Sequence, residues 1–478
     1  MFWAYGSYVG ARVLSLVAIA ILARLLSPLD FGIVAIALIA IAFLDLLSGL
    51  GLGEALVVVD EHEVEEKAET VFAVSVAVGL VSAAALAALG PVMASFFAQP
   101  QLVELMPVLG ATFVLRGLAG THAALTQKRL DFRSRTTAEL AEATVRGAIS
   151  IILALLGAGV WSLVFGYVAG SAAWAITLWI LVPWRPRFHP RRAHLRDLLS
   201  FGGTLTGVGV MAAFLTQFDN VVVGRVLGAV QLGFYSMATR TPELLILGLA
   251  NVAGRVLFPA FATLRDDDVP RAFLAALRYT SIVTIPLALS LAVFAEPITM
   301  LLLGDRWRPS IGAMQVLCIW VGAATIGQVC GSVFKGRNRV DIVLLLAVPQ
   351  AIALVIGTLA LVDRGIVAVA WVQVGVVLCA LVAAIAIAQR IFGFAPQAVV
   401  DTFRPTVIAA AALLAVLIGA QRTFADALTT VVVGAGVGAV VYLGLVALLA
   451  PDAVTTLKKA FAGAPPAGDH TPVQFDPE

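Results

Sequence analysis

Long apolar runs follow one another along almost the whole chain, separated by short polar connections. A helix needs about 20 apolar residues to cross a bilayer, and about fourteen segments reach that length. The pattern therefore predicts an all-α polytopic membrane protein. The predicted spans are 2–24, 31–53, 70–92, 102–124, 138–157, 160–182, 198–221, 232–258, 274–295, 309–333, 342–361, 366–388, 405–420 and 427–450.

Composition agrees with this pattern and excludes a soluble protein. Of the 478 residues, 61% are hydrophobic and 13% are charged, and the mean hydropathy is +1.00. Soluble domains carry about 25% charged residues. No connection is long enough for a soluble catalytic domain, so we expect no enzyme activity, no bound cofactor or metal, and no nucleic-acid partner. Any activity must lie between the helices.

An internal repeat indicates how the helices are organised. Shifting the chain by 201 residues aligns Arg24 with Arg225, and Gly32 with Gly233. Six spans separate the two copies, so they run in the same direction, as parallel repeats around a central cavity do. We therefore predict two pseudo-symmetric six-helix bundles and two C-terminal helices. The predicted units are 1–182 and 198–390 (the bundles), 183–197 (a basic cytoplasmic linker), 391–451 (two further helices) and 452–478 (a disordered cytoplasmic tail).

The charges of the loops predict the topology. Loops after the fourth, sixth, eighth and tenth spans are rich in Lys and Arg, for example at 128–135 and 185–196, whereas the opposite loops carry few. By the positive-inside rule, both termini are cytoplasmic. The acidic run at 60–69 lies on the same side against this trend, and we interpret it as a solvated loop.

Arginines inside predicted spans are the strongest indication of function. A charge at the centre of a bilayer costs about 2.5–3.5 kcal/mol on insertion scales, so such residues normally face a cavity. Arg12 and Arg240 align with the uncharged Ala213 and Ile39 of the other copy. Such asymmetry favours a role in binding cargo over a role in architecture, and guanidinium groups prefer phosphate. The predicted substrate-binding residues are Arg12, Arg116, Arg146 and Arg240.

Acidic residues on the same helices have two interpretations. Asp45, Glu142 and Glu243 could couple transport to H⁺ or Na⁺. Alternatively, Glu142 with Arg146, and Arg240 with Glu243, could be helical pairs that only neutralise each other. The repeat also aligns Glu54 with Arg255, and this opposition suggests a cytoplasmic gate closed by an ion pair.

The last predicted helix contains Gly434, Gly436 and Gly438. These glycines follow no strand and lie in an apolar run, which argues against a nucleotide-binding loop. We interpret Gly434 and Gly438 as a small-residue seam for helix packing.

Several motifs at helix ends carry a family resemblance. They read ILARLLSPLDFGIVA at 21–35, GLGEALV at 51–57, FDNVVVGRVLGAVQLGFYSMATR at 218–240, RVLFPAF at 255–261 and LLGDRWRP at 302–309. They resemble the polysaccharide-exporter branch, of colanic-acid-exporter type, of the multidrug/oligosaccharidyl-lipid/polysaccharide (MOP) flippase superfamily. The resemblance extends over most of the chain to about residue 340.

This resemblance implies a flippase of the bacterial inner membrane. Its cargo would be an undecaprenyl-pyrophosphate-linked oligosaccharide, moved by alternating access for cell-surface polysaccharide assembly, with membrane lipids, a polymerase and glycosyltransferases as partners. The alternatives are an ion-coupled extruder of organic cations, a peptidoglycan-precursor flippase, and a membrane glycosyltransferase or polymerase. The last would need catalytic acids in a substantial loop, and only the short cluster Asp266–Asp268 resembles such a set of acids.

Overall fold

Helices form along the apolar runs in the part of the chain that the structure describes. The computed structural model describes residues 2–49, 53, 56, 63–186, 211, 213–247, 257–424 and 426–451. All regular elements within these residues are helical. They are α1 (Phe2–Leu25), α2 (Pro28–Gly49), α3 (Val64–Phe97), α4 (Leu102–Lys128), α5 (Phe132–Leu155), α6 (Val160–Leu181), α7 (213–227, ending in the π-helical turn Val223–Leu227), α8 (Ala229–Pro242, continued by the π-helical turn Glu243–Leu247), the helical segment 257–263, α9 (Val269–Val293), α10 (Ala295–Leu302), α11 (Ile311–Gly336), α12 (Val340–Leu361), α13 (Ile366–Phe392), α14 (Pro396–Thr423) and α15 (Ala427–Leu449).

Ten helices in the described part are long and apolar enough to cross a membrane, so the chain is a multi-pass membrane protein. They are α2, α3, α4, α6, α9, α11, α12, α13, α14 and α15. The predicted all-α membrane fold is thus confirmed, whereas the count of fourteen spans stays a prediction. Among the other helices, α5 is 24 residues long but carries charges along its length.

The start of α3 differs from the sequence-based boundary. This helix begins at Val64, so Glu65 and Glu66 form its first turn and the predicted loop is wrong there. Carboxylates are favourable at that position because they interact with the positive end of the helix dipole. Lys67 pairs with Glu63 at 2.6 Å, which further orders the start of this helix.

Local side-chain chemistry determines where helices begin. Ser27 and Asp30 cap α2 reciprocally, with the Ser27 hydroxyl donating to Asp30 Oδ2 at 2.6 Å. Asp131 caps α5 by accepting from the backbone N–H of Ser134 at 3.1 Å. Hydrogen bonds from the Ser134 side chain and N–H lower the pKa of the Asp131 carboxyl below its ordinary value, because they stabilise the charged form.

Helices α2 and α8 cross at a pair of glycines that the repeat relates to each other. A Cβ atom on Gly32 would overlap the carbonyl group of Ala229, and a Cβ atom on Gly233 would overlap that of Pro28. The contact is therefore reciprocal across the pseudo-symmetry axis. Only glycine allows two helix backbones to approach this closely.

Trp307 fills the space beside this crossing. Its side chain is fully buried between Phe31 of α2 and Phe234 of α8, with ring centroids 5.3 and 5.8 Å away. The indole N–H donates to the carbonyl of Ala23 at 2.9 Å. Arg24 in turn donates to the carbonyl of Leu301 at 2.6 Å, so the C-terminal half is bound to the end of α1. We call this region, from Trp307 to the Gly32–Gly233 crossing, the seal.

The repeat extends to the turns at the opposite end. Leu130, between α4 and α5, and Asn338, between α11 and α12, have φ angles of 54° and 57°. Equivalent backbone hydrogen bonds flank them, from Asp131 to Thr126 and from Arg339 to Phe334, both at 2.8 Å. The offset here is 208 residues, so the second copy is longer and sequence alignment at a constant offset fails beyond the first two helices.

The C-terminal hairpin α14–α15 packs on α9 and α10. A Cβ atom on Gly434 would lie 2.7 Å from Phe294, and one on Gly438 would lie 2.6 Å from Leu413. The predicted packing seam is thereby confirmed.

Some predicted features lie outside the described residues. These are the gate residues Glu54 and Arg255, the side chain of Arg12, most of the linker 183–197 and the tail 452–478.

Candidate functional site

A polar cavity of about 200 Å³ lies between the two copies of the repeat, directly below the seal. Helices α2 and α6 contribute one wall, and α7, α8, α11 and α13 contribute the other. The lining residues are Phe31, Val34, Ala35, Leu38, Leu163, Tyr167, Thr216, Gln217, Asp219, Asn220, Ser236, Thr239, Arg240, Glu243, Leu317, Trp320 and Gln373.

Tyr167 of α6 connects Arg240 of the cavity lining with Arg146 of α5, which lies behind the lining. Arg240 of α8 donates from Nη2 to the Tyr167 hydroxyl at 2.9 Å. Across the same ring, the guanidinium carbon of Arg146 lies 4.4 Å from the ring centroid, within the range of a cation–π contact. Two of the predicted substrate-binding arginines therefore meet at one tyrosine.

Glu142 of α5 extends this network within the N-terminal half. Its Oε1 atom forms ion pairs with Arg146 and with Arg116, the latter at 3.3 Å. The helical pair Glu142–Arg146 that the sequence allowed is thus present, and its carboxylate is shared by a second guanidinium group, that of Arg116. The connected series Arg116–Glu142–Arg146–Tyr167–Arg240 carries three positive charges and one negative charge.

The Nε atom of Arg146 is buried and has no hydrogen-bond partner among the described residues. A buried donor left in this condition costs free energy that an anionic ligand would recover. Gly170 of α6 makes the position possible, because a Cβ atom there would lie 2.9 Å from the Arg146 side chain. Gly166, one turn earlier, has the same relation to Ser150 of α5.

The remaining predicted acids lie nearby in different environments. Glu243 lines the cavity one turn after Arg240. Asp45 is exposed on α2 and lies within the electrostatic range of Arg116. Of the predicted site residues, Arg240 and Glu243 line the cavity. Arg116, Glu142 and Arg146 lie behind the lining and are connected to Arg240 through Tyr167.

Two further residues that shape the site have no predicted role. Asp219 is buried and accepts from the Tyr235 hydroxyl at 2.6 Å and from the Gln373 side chain. Tyr167 is uncharged, so the search for charges inside predicted spans did not identify it. The spacing Gly166-x-x-x-Gly170 around it is nevertheless a known helix-packing signal. In the described residues no group of three or more His, Cys, Asp or Glu side chains could hold a metal ion.

Comparison with known proteins agrees with the motifs. Residues 21–312, more than half of the chain, match the family described as "Polysaccharide biosynthesis protein". The succinoglycan biosynthesis transport protein ExoT of Rhizobium meliloti (strain 1021) is 27% identical over 73% of this chain and 71% of that protein. The lipopolysaccharide biosynthesis protein WzxC of Escherichia coli (strain K12) is 27% identical over 69% of this chain and 68% of its own length.

Two solved structures show the same fold. The lipid II flippase MurJ in an inward closed conformation has a TM-score of 0.78 at 14% identity, and the match covers 95% of this chain and all of MurJ. An inward-facing MATE multidrug transporter of the MOP superfamily has a TM-score of 0.62 at 18% identity, over 78% of this chain and 92% of the transporter. The fold is therefore that of MOP transporters, and the matches support a transporter in place of a membrane glycosyltransferase or polymerase.

The resemblance seen in the motifs is confirmed. The fold is that of solved MOP transporters, and because the match over residues 21–312 covers more than half of the chain, the chain belongs to the polysaccharide biosynthesis protein family.

Proposed function

We propose that this protein is a flippase that moves undecaprenyl-pyrophosphate-linked oligosaccharide units across the bacterial inner membrane by alternating access. The observation that carries the proposal is the buried Nε of Arg146, which has no hydrogen-bond partner among the described residues and belongs to a network that connects three arginines. A pyrophosphate offers several anionic oxygens, and guanidinium groups bind such oxygens through charge-assisted hydrogen bonds. The relatives named for succinoglycan transport and lipopolysaccharide biosynthesis support a saccharide cargo.

The charge distribution gives the orientation in this proposal. The basic turns near Lys128 and Lys335 lie at the end opposite the seal, and by the positive-inside rule that end is cytoplasmic. The seal then closes the periplasmic end. In this conformation the cargo headgroup would reach the arginines from the cytoplasm, and release would require the contacts of Trp307 and the α2–α8 crossing to open.

Ion coupling would act through the acids that share the arginines. Glu142 pairs with Arg116 and Arg146, so a pyrophosphate that binds these guanidinium groups competes with Glu142 for them. A carboxylate that loses its cationic partners more readily takes up a proton or a Na⁺ ion. Asp45 and Glu243 are the further candidates for this role. A polysaccharide polymerase and glycosyltransferases would act before or after transport as partners.

Translocation in proteoliposomes tests the proposal. The protein is reconstituted with a fluorescent undecaprenyl-pyrophosphate oligosaccharide, and wild type is compared with Arg116→Ala, Arg146→Gln and Arg240→Gln. Arg422→Gln is the matched control, because Arg422 is exposed in the last turn of α14, away from the cavity.

We expect wild type and the control to flip the lipid and the three cavity variants to lose most of this activity. A wild-type protein that leaves the lipid in place but exchanges organic cations for protons would replace the proposal with the multidrug-extruder alternative.

A further inference from the structure

A second cavity of about 180 Å³ lies within the N-terminal half, at the end of α4, α5 and α6 opposite the seal. Gly53 is the one lining residue outside these three helices. The lining residues are Gly53, Gly120, Ala123, Ala124, Thr126, Gln127, Arg135, Glu139, Trp174 and Leu178. We call it the side pocket.

Three kinds of wall make up the side pocket. Gly120, Ala123 and Ala124 of α4 form a smooth wall of small residues. Trp174 of α6 presents a large, partly buried aromatic ring. The third wall is polar, with Gln127 exposed and Arg135 paired to Glu139 at 3.0 Å.

This chemistry selects against several classes of ligand. A phosphate group would meet no unpaired cation in the lining, because Arg135 is paired with Glu139, and the Arg116 guanidinium lies outside the lining, 6.0 Å from the centroid of the Trp174 ring. An acyl chain would leave Gln127, Arg135 and Glu139 facing hydrocarbon, which is unfavourable for polar groups. A sugar ring suits both the aromatic wall and the polar wall. The C–H face of the sugar packs on an aromatic ring. Its hydroxyl groups donate hydrogen bonds to a carboxylate and accept them from guanidinium and amide N–H groups.

The position of the side pocket agrees with such a ligand. On α5, Arg135, Glu139, Glu142 and Arg146 lie on one stripe at helical spacing, so the stripe joins the side pocket to the arginine network. Glu139 and Arg146 are seven residues apart, which corresponds to about 10 Å along a helix. A volume below the range of about 300–1,000 Å³ typical of drug-sized ligands suits a single ring.

We infer that the side pocket is a sugar subsite, in which Trp174 stacks against one pyranose ring of the cargo while Glu139, Arg135 and Gln127 hydrogen-bond its hydroxyl groups. The inference rests on the proposed function, because the pyrophosphate held by Arg146 and Arg240 would position the attached sugars along the α5 stripe. Residues of α4, α5 and α6 would then select the saccharide.

Two binding measurements on the full-length protein in lipid nanodiscs test the subsite. The first is saturation-transfer NMR with the methyl glycosides of glucose, galactose and glucuronic acid. The second is the Kd for undecaprenyl pyrophosphate that carries no sugar. The variants are Trp174→Leu, Trp174→Phe, Glu139→Gln and Gln127→Ala, with Trp371→Leu as control, because Trp371 is a tryptophan on the outer surface of α13 with 54% exposure.

We expect at least one glycoside to bind wild type and Trp371→Leu. Trp174→Leu and Glu139→Gln should weaken the binding of that glycoside about tenfold, because the first removes a stacking surface and the second removes a charged hydrogen-bond partner. Trp174→Phe should restore most of the affinity, and Gln127→Ala, at an exposed position where folding is not at risk, should weaken it less. The Kd for the sugar-free lipid should stay within about twofold in Glu139→Gln and Gln127→Ala. In Trp174→Leu, which also loses the contact between Trp174 and the Arg116 guanidinium, that Kd should change less than the Kd for the glycoside.

Two results would overturn the inference: glycoside signals that are the same in wild type and Trp174→Leu, or an equal weakening of the glycoside and the sugar-free lipid. Failure of the proposed function has a different signature. Trp174-dependent glycoside binding without any binding or flipping of the undecaprenyl-pyrophosphate lipid would leave the subsite in place and remove the lipid-linked cargo.

Discussion

The seal and the cavity below it are built from the same two copies of the repeat but follow opposite rules. At the seal, Gly32 and Gly233 occupy equivalent positions and make equivalent contacts. In the cavity, Arg146 and Arg240 come from non-equivalent positions and converge on a single tyrosine. At the crossing, symmetric residues bring the two halves together, whereas the arginines of the site come from asymmetric positions. This contrast indicates that the repeat supplies the architecture of the transporter and that departures from the repeat supply its chemistry.

The largest effect is expected from a methyl group at the symmetric crossing. Gly32→Ala places a Cβ atom on the carbonyl of Ala229, where backbone on both sides prevents relief. Overpacking of this kind costs about 1–3 kcal/mol or more, and it opposes the gain in helix propensity that alanine normally brings. We expect a lower midpoint of thermal unfolding and loss of translocation.

Gly436→Ala is the control, because a Cβ atom at Gly436 of α15 has no neighbour within 4 Å. Equal unfolding midpoints for the two variants would contradict the close crossing.

The next effect concerns the asymmetric charges. Arg146→Gln and Arg240→Gln each remove a charged donor, and hydrogen bonds to charged groups contribute about 1.5–3 kcal/mol. We expect the affinity for undecaprenyl pyrophosphate to fall about 10- to 100-fold, with little change in the unfolding midpoint.

Tyr167→Phe removes only the hydroxyl that accepts from Arg240, so it should have a smaller effect on the same Kd. A Tyr167→Phe loss larger than that of Arg240→Gln would show that the tyrosine, and not the arginine, contacts the cargo.

A smaller effect is expected from the indole hydrogen bond of the seal. Trp307→Phe keeps an aromatic ring between Phe31 and Phe234 but loses the donor to the Ala23 carbonyl. A hydrogen bond contributes about 1 kcal/mol, which corresponds to roughly a fivefold shift toward opening of the seal.

The measurement is the rate at which an impermeant thiol reagent, added from the periplasmic side, modifies Ala35→Cys in a Cys379→Ser background. Ala35 lines the cavity below the seal. An unchanged rate would mean that Trp307 does not restrain opening.

The smallest effect lies outside both regions, at the turn before α5. Asp131→Ala removes the cap on Ser134 and should lower stability by about 1 kcal/mol at neutral pH. Because the pKa of Asp131 is lowered in the folded state, its contribution is present above the unfolded pKa and is lost as pH falls through the folded pKa. The midpoints of thermal unfolding of wild type and Asp131→Ala should therefore differ near pH 7 and become equal in acid. The same difference between the midpoints at all pH values would argue against the cap.

Much of the fold could be predicted from the sequence because membrane helices can be recognised as long runs of apolar residues. The membrane class, the repeat at Gly32 and Gly233, and the Gly434 seam all follow from apolar runs and residue spacing. Prediction is weaker for the start of α5: the predicted span begins at 138, whereas the helix begins at Phe132, because its first turns are polar and charged.

The site was predictable as a set of residues but not as an arrangement. Arg116, Arg146 and Arg240 were identified by the cost of charge in a membrane, yet no sequence rule could indicate that Tyr167 would join two of them. Contacts between distant helices depend on how closely their backbones approach, which Gly166 and Gly170 determine for α5 and α6.

Binding of the cargo pyrophosphate by the asymmetric arginines can be observed directly in a cryo-electron microscopy structure of the protein in nanodiscs with undecaprenyl pyrophosphate bound. We expect pyrophosphate density between Arg146 and Arg240, with Arg146 Nε as one of the donors. Density for the pyrophosphate outside the cavity, with Arg146 still paired to Glu142 and Arg240 still bound to Tyr167, would contradict this role of the arginines.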